Sequence, residues 1–156
     1  MAHFAEIDEY NKVIRVLVTD NNDSNGDEGY QWLVDNLGGT WIKCSYNTRE
    51  GVHVRVVVDE DGKHVYVPTG KPALRKNFPA PGYIYDPVRD AFYLPKPLDF
   101  SSWRFNEDKC IWEAPIPDPY PFTVPHIWDE ENQQWVGPDL DALKLAEKQK
   151  IAGTQG

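Results

Sequence analysis

The stretch Tyr85–Pro95, YDPVRDAFYLP, decides the fold. An aromatic residue is followed at once by an Asp, by a second aromatic seven positions on and by a proline ten positions on. A polar turn separates the two aromatics, so we expect Tyr85 and Phe92 to face each other across an antiparallel hairpin. The Asp86 side chain can accept hydrogen bonds from the turn amides. Pro95 has no N–H to donate and is expected to end the second strand.

The same spacing recurs twice downstream, again with an Asx residue and a proline. One copy places Phe105 opposite Trp112, and the next places Trp128 opposite Trp135. Cross-strand aromatic pairs of this kind stabilise a hairpin by roughly 0.2–1 kcal/mol each relative to alanine. The repeat therefore predicts a series of short aromatic hairpins.

Two looser copies precede these. Val58 and Val65 flank the dipeptide Asp61-Gly62, which is a strong turn signal, and Ile7 and Ile14 have the same separation. The offset predicts that Val58 faces Val65 and that Ile7 faces Ile14. In that register His64 faces Asp59.

The rest of the N-terminal half contains one helix between strands. The apolar run Val13–Thr19 predicts a strand buried on both faces. Apolar residues three and four apart predict a short helix over Tyr30–Leu37, ended by Gly38-Gly39. A further strand is expected over Trp41–Tyr46. The predicted fold class is α+β with β dominant: short antiparallel hairpins, one short helix in the N-terminal half, proline-rich spacers and a C-terminal helix.

Proline-rich stretches set the expected domain organisation. Pro115–Pro121 contains four prolines in seven residues and predicts a stiff, extended spacer. The final segment carries only a thin apolar stripe, including Leu140 and Leu143, so its helix needs a surface to lie on. Three regions are predicted: an α+β domain over 1–70, hairpin repeats with proline-rich linkers over 71–138, and a helical tail over 139–156.

Composition limits the classes of partner. The chain of 156 residues has a net charge of −9, and its pI is near 4.8. Binding to phosphates requires a surplus of Lys and Arg, so neither nucleic acid nor an anionic membrane is an expected partner. Cys44 and Cys110 lie far apart outside any metal-binding motif and are expected to be reduced thiols. The N-terminus lacks signal-peptide features and apolar runs are short, which predicts folding in a cytoplasm.

No convergent set of catalytic residues is evident. The four histidines are scattered, and the pair of His64 and Asp59 lacks a third ligand at fixed spacing. No Gly-rich phosphate loop and no GxSxG elbow occurs. Acidic pairs such as Glu130 and Glu131 lie at predicted turn tips. Solvation there does not raise the pKa of a carboxylate, so these residues are expected to be poor general acids. We therefore expect no catalytic activity, no cofactor and no metal site.

Several phrases together resemble a protein family of tailed phages that infect marine and freshwater bacteria, cyanophages among them. The resemblance covers most of residues 1–138 and implies a structural role in the virion, without an enzymatic signature. The Val52–Thr69 hairpin and the C-terminal helix depart from the family pattern. The phrases are Met1–Asp8, Thr40–Ile42, Ser45–Arg49, Leu74–Phe78, Gly82–Asp86, Asp90–Phe92, Cys110–Pro115 and Ile127–Glu130.

The resemblance and the hairpins lead to three hypotheses. The first is a capsid decoration or cement protein that binds the major capsid protein in the virion, after assembly in the host cytoplasm. The second is an adaptor of the tail, baseplate or fibre, and the third is a carbohydrate-binding module whose aromatics stack on sugars. A homo-oligomer is left open. The candidate hairpin and partner-contact residues are Tyr85, Phe92, Phe105, Trp112, Trp128, Trp135, Leu140 and Leu143.

Overall fold

The computed structural model describes residues 1–20, 26–119, 126–137 and 140–154, without the side chains of 141–144 and 153–154. This part of the chain is β-dominated, with several small antiparallel sheets and two helices, the second of which is C-terminal. The predicted fold class is confirmed at this level. The elements are β1 (Ala2–Ile7), β2 (Val13–Thr19), α1 (Tyr30–Leu37), β3 (Thr40–Cys44), β4 (Thr48–Arg49), β5 (Val52–Val58), β6 (His64–Pro68), β7 (Ile84–Asp86), β8 (Ala91–Tyr93), β9 (Arg104–Asn106), β10 (Ile111–Glu113), β11 (Ile127–Asp129), β12 (Gln134–Val136) and α2 (Leu140–Thr154).

The first sheet has the strand order β2-β1-β3, so β1 is central. Alternate residues of β1 point to opposite faces, and both faces are covered. Phe4 packs with Leu33 of α1 and with Trp41, whereas Ala5 lies in a second cluster that includes Phe92. The predicted burial of β2 on both faces is wrong, because β2 forms the edge of this sheet. Its more exposed apolar side chains are Ile14 at 49% and Val18 at 54%.

The helix α1 begins and ends at glycines. Gly29 precedes it with a φ of 91°, and the Gly38 N–H donates to the Val34 carbonyl oxygen at 3.0 Å. The Trp41 Nε1 donates to the Gly38 carbonyl oxygen at 2.7 Å, which fixes the chain as it enters β3. Leu33 is the buried residue of the helix. The predicted helix is thus confirmed with its predicted bounds.

Contacts divide the chain into two compact units. Unit 1 comprises Met1–Pro95 with Phe105–Trp112, and unit 2 comprises Lys96–Arg104 with Glu113–Gly156. Within unit 1 the β7–β8 hairpin packs on the first sheet, because the fully buried Phe92 shares a cluster with Ala5 and Val13. The expected boundary at residue 70 therefore does not separate this hairpin from the N-terminal sheet. The three-region division otherwise stays a prediction.

The three aromatic hairpins pair as predicted. Tyr85 lies opposite Phe92 and Trp128 opposite Trp135 in the strand register, and their ring centroids are 5.3 Å apart in both pairs. The rings of Phe105 and Trp112 are 5.2 Å apart on the paired strands β9 and β10. Pro138 and the last two residues of the proline-rich spacer Pro115–Pro121 lie outside the described residues.

A shared backbone conformation explains this register. The residue five positions after the first aromatic is left-handed in every copy, with φ of 50° at Asp90, 51° at Cys110 and 50° at Gln133. It is the last residue of the loop, so Asp86 pairs with Ala91 across a four-residue turn. The turn amides donate to the Asx side chain, as expected: the Val88 and Arg89 N–H groups both donate to Asp86 Oδ1.

The two looser hairpins have a different register, and the predictions for them are wrong. Val58 lies opposite His64 rather than Val65, so His64 does not face Asp59. Ile7 lies opposite Val13 rather than Ile14, next to a bulge between Glu6 and Ile7. Both loops contain three residues, one fewer than the four-residue turn of the β7–β8 hairpin.

The left-handed residue accounts for the shorter loops. It comes one position earlier than in the aromatic hairpins, with φ of 62° at Asn11 and 79° at Gly62. The Asp59 N–H donates to the Lys63 carbonyl oxygen at 2.9 Å, which leaves three residues between them, and Asp8 bonds Lys12 in the same way. A three-residue loop that ends in a left-handed residue is a common hairpin connection.

The C-terminal helix α2 is mostly exposed where its side chains are described. Leu140 is buried, whereas Leu145 is 56% and Ile151 is 59% exposed. Nowhere in the described ranges does a helix combine the length and the hydropathy required to cross a membrane.

Candidate functional site

The predicted contact residues differ in how far they are buried. Phe92, Trp128 and Leu140 are 0%, 4% and 1% exposed, so they have almost no surface to offer a partner. Their side chains pack inside the hairpins and inside the two units instead. The four other aromatics, Tyr85, Phe105, Trp112 and Trp135, are half-buried. The side chain of Leu143 lies outside the described residues.

Arg89 ties the second aromatic hairpin to the first within unit 1. Its Nε and Nη2 donate to the two carboxylate oxygens of Glu107 at 2.7 and 2.8 Å, and its guanidinium lies 4.9 Å from the ring centroid of Phe105. Its Nη1 donates to Asp86 Oδ2 at 2.8 Å. Burial alone raises the pKa of Asp86, but hydrogen bonds from Arg89 and Tyr93 outweigh it and lower the pKa to about 2. The Asp86 carboxylate is therefore charged at neutral pH.

The buried Asn77 joins three segments of unit 1. Its Nδ2 donates to the carbonyl oxygens of Phe92, Lys109 and Cys110 at 3.0, 3.1 and 3.0 Å. Its Oδ1 accepts from the Glu50 N–H at 2.7 Å. Because an unpaired buried polar group is destabilising, these bonds fix two hairpins and the β4–β5 turn around one side chain. Sequence reasoning missed this role, since an Asn in a loop carries no signal of its distant partners.

Glu130 has the corresponding role in unit 2. Its carboxylate accepts from the Ser101 hydroxyl, from the Ser102 hydroxyl and N–H, and from Trp128 Nε1, at 2.6 to 2.9 Å. The hydrogen bonds from Ser102, with weaker ones from Trp128 and Ser101, lower the pKa of Glu130 to about 2 against the opposing effect of burial. Sequence reasoning placed Glu130 at a solvated tip, whereas it fixes the 101–102 segment to the β11–β12 hairpin.

The β5–β6 ribbon has an unusual surface. Beyond the short β4 it consists of two strands, and it is apolar on both faces because side chains alternate along each strand. Val56, Val58 and Tyr66 are 52%, 64% and 55% exposed. One face carries Val56, Val58, His64 and Tyr66, and the other carries Arg55, Val57, Val65 and Val67. Sequence reasoning identified this ribbon as a departure from the family pattern but did not select it as a contact surface.

A second apolar surface lies beside α1. A groove of about 530 Å³ runs between β2 and the helix, and its apolar lining includes Leu17, Val18, Trp32 and Leu37. Trp32 is 57% exposed. Unit 1 therefore presents apolar surface at two places.

No group of three or more His, Cys, Asp or Glu side chains is placed to hold a metal ion in the part of the chain that the structure describes. Burial raises the pKa of Cys44 to about 12, so the thiol stays protonated at neutral pH. The His126 Nε2 and Asp118 Oδ1 are 2.5 Å apart, and the imidazole packs edge-on against Trp135.

Comparison of the chain with protein-family models, with curated proteins and with solved structures gives no match.

Proposed function

We propose that this chain is a non-enzymatic structural protein of a tailed-phage virion and that it decorates the capsid by binding the major capsid protein. The proposal combines the resemblance of its motifs with the surface of unit 1. The ribbon supplies the contact, and the acidic chain faces away from the packaged DNA.

The exposed β5–β6 ribbon is the observation that carries the proposal. Beyond β4 the ribbon has only two strands, and an isolated two-stranded ribbon is marginally stable in water. A contiguous exposed apolar patch is typical of an interaction surface. Val56 and Val58 on one face and Val65 on the other are exposed in the isolated chain. A neighbour that covers the ribbon removes this surface from water, at about 25 cal/mol per Å² of apolar area.

The charge of the chain agrees with an outer position. At −9 the protein would be repelled by the phosphates of packaged DNA, and it gains nothing from counterion release. A protein that binds only the assembled shell stabilises that shell by mass action.

The structure disfavours the hairpin aromatics as a platform for sugars. The rings of Tyr85 and Phe92, and those of Trp128 and Trp135, contact each other in pairs. With Phe92 and Trp128 buried, one ring of each pair has no free face to stack on a ligand.

Fractionation of purified virions tests the proposal. Heads and tails are separated, and the protein is detected in each fraction by antibody. We expect the protein in the head fraction. High salt or low pH should release it from the particles, and shells that have lost it should be weaker. Detection in purified tails alone would overturn the capsid assignment and favour the tail adaptor.

A further inference from the structure

We propose that a cleft in unit 1 binds a neutral pyranose sugar ring. The cleft has a volume of about 370 Å³, and we call it the tyrosine cleft after Tyr46, Tyr66 and Tyr83, which line it together with Arg49, Glu50 and Phe78. Pockets for small ligands begin at about 300 Å³, so the cleft suits a monosaccharide better than a larger molecule. The inference does not depend on the proposed function.

Aromatic surface is available in the cleft, unlike in the hairpins. Tyr46 is 69% and Tyr66 is 55% exposed, and both lie outside the aromatic repeat. Tyr46 is held edge-on against Phe78, with ring centroids 5.4 Å apart, and its ring is stacked with that of His3 at 6.0 Å. An amphipathic tyrosine ring offers an apolar face to the C–H face of a sugar and a hydroxyl to its rim.

The polar groups of the cleft select a neutral ligand. The Arg49 guanidinium covers one face of the Tyr66 ring, 4.1 Å from its centroid, which fixes its planar set of donors beside the ring surface that stays exposed. Neither Arg49 nor Glu50 forms an ion pair with another described residue. Together they offer N–H donors and carboxylate acceptors with no net charge. Neighbouring hydroxyls of a sugar can both donate and accept, so they complement this pair.

The wall of the cleft is preorganised at Glu50. This residue has a strained, left-handed backbone without being glycine, with a φ of 50°. The Glu50 N–H donates to the Asn77 side chain, and the Gly51 N–H donates to the Lys76 carbonyl oxygen at 2.9 Å. Such strain persists where the surroundings fix it, and it concentrates at binding sites. A preformed wall lowers the entropy lost when a ligand binds.

Titration followed by NMR tests the proposal. The ¹⁵N-labelled full chain is titrated with the methyl glycosides of glucose, galactose, mannose and N-acetylglucosamine. We expect at least one of them to cause saturable shifts in the amides of residues 46–50, 66 and 78, with a dissociation constant in the millimolar range. Absence of saturable shifts in these amides with all four sugars would overturn the proposal.

Matched variants distinguish sugar binding in the cleft from unspecific effects of a substitution. Tyr66→Ala is expected to weaken the binding at least tenfold, whereas Tyr66→Phe retains the ring and most of the affinity. Tyr10→Ala removes a ring that is 80% exposed in the β1–β2 turn, and it should leave binding unchanged. An equal loss of sugar affinity in the Tyr66→Ala and Tyr10→Ala variants would contradict a site in the cleft. Tighter binding of the charged sugar glucuronate than of glucose would contradict the selection of a neutral ligand. Val56 and Tyr66 lie on one face of the ribbon and also line the cleft, so a capsid protein that covers this face would exclude the sugar. The titration tests the cleft in the free chain and the fractionation tests the capsid assignment, so the two proposals fail independently.

Discussion

The side-chain amide of Asn77 donates to the carbonyl oxygen of Cys110, thirty-three residues further along the chain, at 3.0 Å. Cys110 occupies the left-handed position of the second aromatic hairpin, with a φ of 51°. A single polar side chain therefore fixes a repeat hairpin that has only three residues in each strand. This arrangement shows how very short strands can hold a defined geometry.

Asn77→Ala is expected to destabilise the chain by about 3 kcal/mol. The substitution leaves the buried carbonyl oxygens of Phe92 and Cys110 without their donor, and each unsatisfied buried group is destabilising by about 1–3 kcal/mol. Urea unfolding measures the change. Asn36→Ala removes an exposed hydrogen bond within α1 and should change the free energy of unfolding by no more than about 0.5 kcal/mol. Equal effects of the two substitutions would contradict the role of Asn77.

Glu130→Gln is expected to reduce stability at neutral pH and to have little effect near pH 2. The folded-state pKa of Glu130, about 2, lies below the ordinary value of 4.5. Its contribution is therefore present above pH 4.5 and is lost as the pH falls through the folded-state pKa. Melting temperatures of the two proteins between pH 7 and pH 2 check this.

The neighbouring Glu131→Gln provides the control for that series, because Glu131 is exposed at the same turn. We expect its melting curve to follow that of the unmodified chain at each pH. A difference between the Glu130→Gln and unmodified proteins that stays constant down to pH 2 would exclude the carboxylate as the cause.

Gln133→Gly is expected to stabilise unit 2 by up to about 1 kcal/mol. Gln133 has a φ of 50°, which is unfavourable by roughly 1–2 kcal/mol for a residue with a Cβ, and glycine avoids this strain at some loss of chain entropy. Gln134→Gly, one position on and within β12, should destabilise instead. Thermal unfolding of the pair checks the sign, and destabilisation by Gln133→Gly would count against the left-handed turn.

Phe92→Ala is expected to destabilise unit 1 by about 3–5 kcal/mol, because Phe92 is fully buried in the cluster with Ala5 and Val13. Leu94→Ala, two residues on, removes a side chain that is 54% exposed and should have a much smaller effect. Denaturant unfolding compares them. Similar values would contradict the packing of the β7–β8 hairpin on the first sheet.

The sequence predicts those features of the fold that local spacing determines. The seven-residue offset between Tyr85 and Phe92 predicts their pairing because the turn and both strands lie within one short segment. The same offset fails at Val58 and Val65, since Gly62 takes the left-handed conformation one residue earlier than the repeat requires. Loop length thus depended on a single backbone angle that the spacing does not report.

Features that depend on distant contacts could not be predicted. The run Val13–Thr19 reads as a buried strand, yet β1 takes the central position because α1 and Phe92 cover its two faces. The carbonyl partners of Asn77 lie 15 to 33 residues beyond it, and its partner Glu50 lies 27 residues before it. The partners of Glu130 lie up to 29 residues before it. An isolated Asn or Glu in the sequence gives no indication of such partners.

Val65→Glu is expected to weaken binding to phage shells at least tenfold while the chain stays folded. Val65 lies on the face of the ribbon opposite Tyr66 and is 39% exposed, so the added charge disturbs a partner more than it disturbs unit 1. Tyr10→Glu introduces the same charge at the exposed β1–β2 turn and should bind normally. The difference is measured by rebinding each variant to particles from which the protein has been removed. Equal binding of the two variants would contradict a role of the ribbon in the interface.

Cryo-microscopy of the intact virion is the most direct measurement of whether a neighbouring protein covers the β5–β6 ribbon. We expect density for this chain on the outer surface of the capsid, with Val56, Val58 and Val65 buried against the major capsid protein. Density in the tail alone, or a ribbon left exposed to solvent in the assembled particle, would contradict the proposed role.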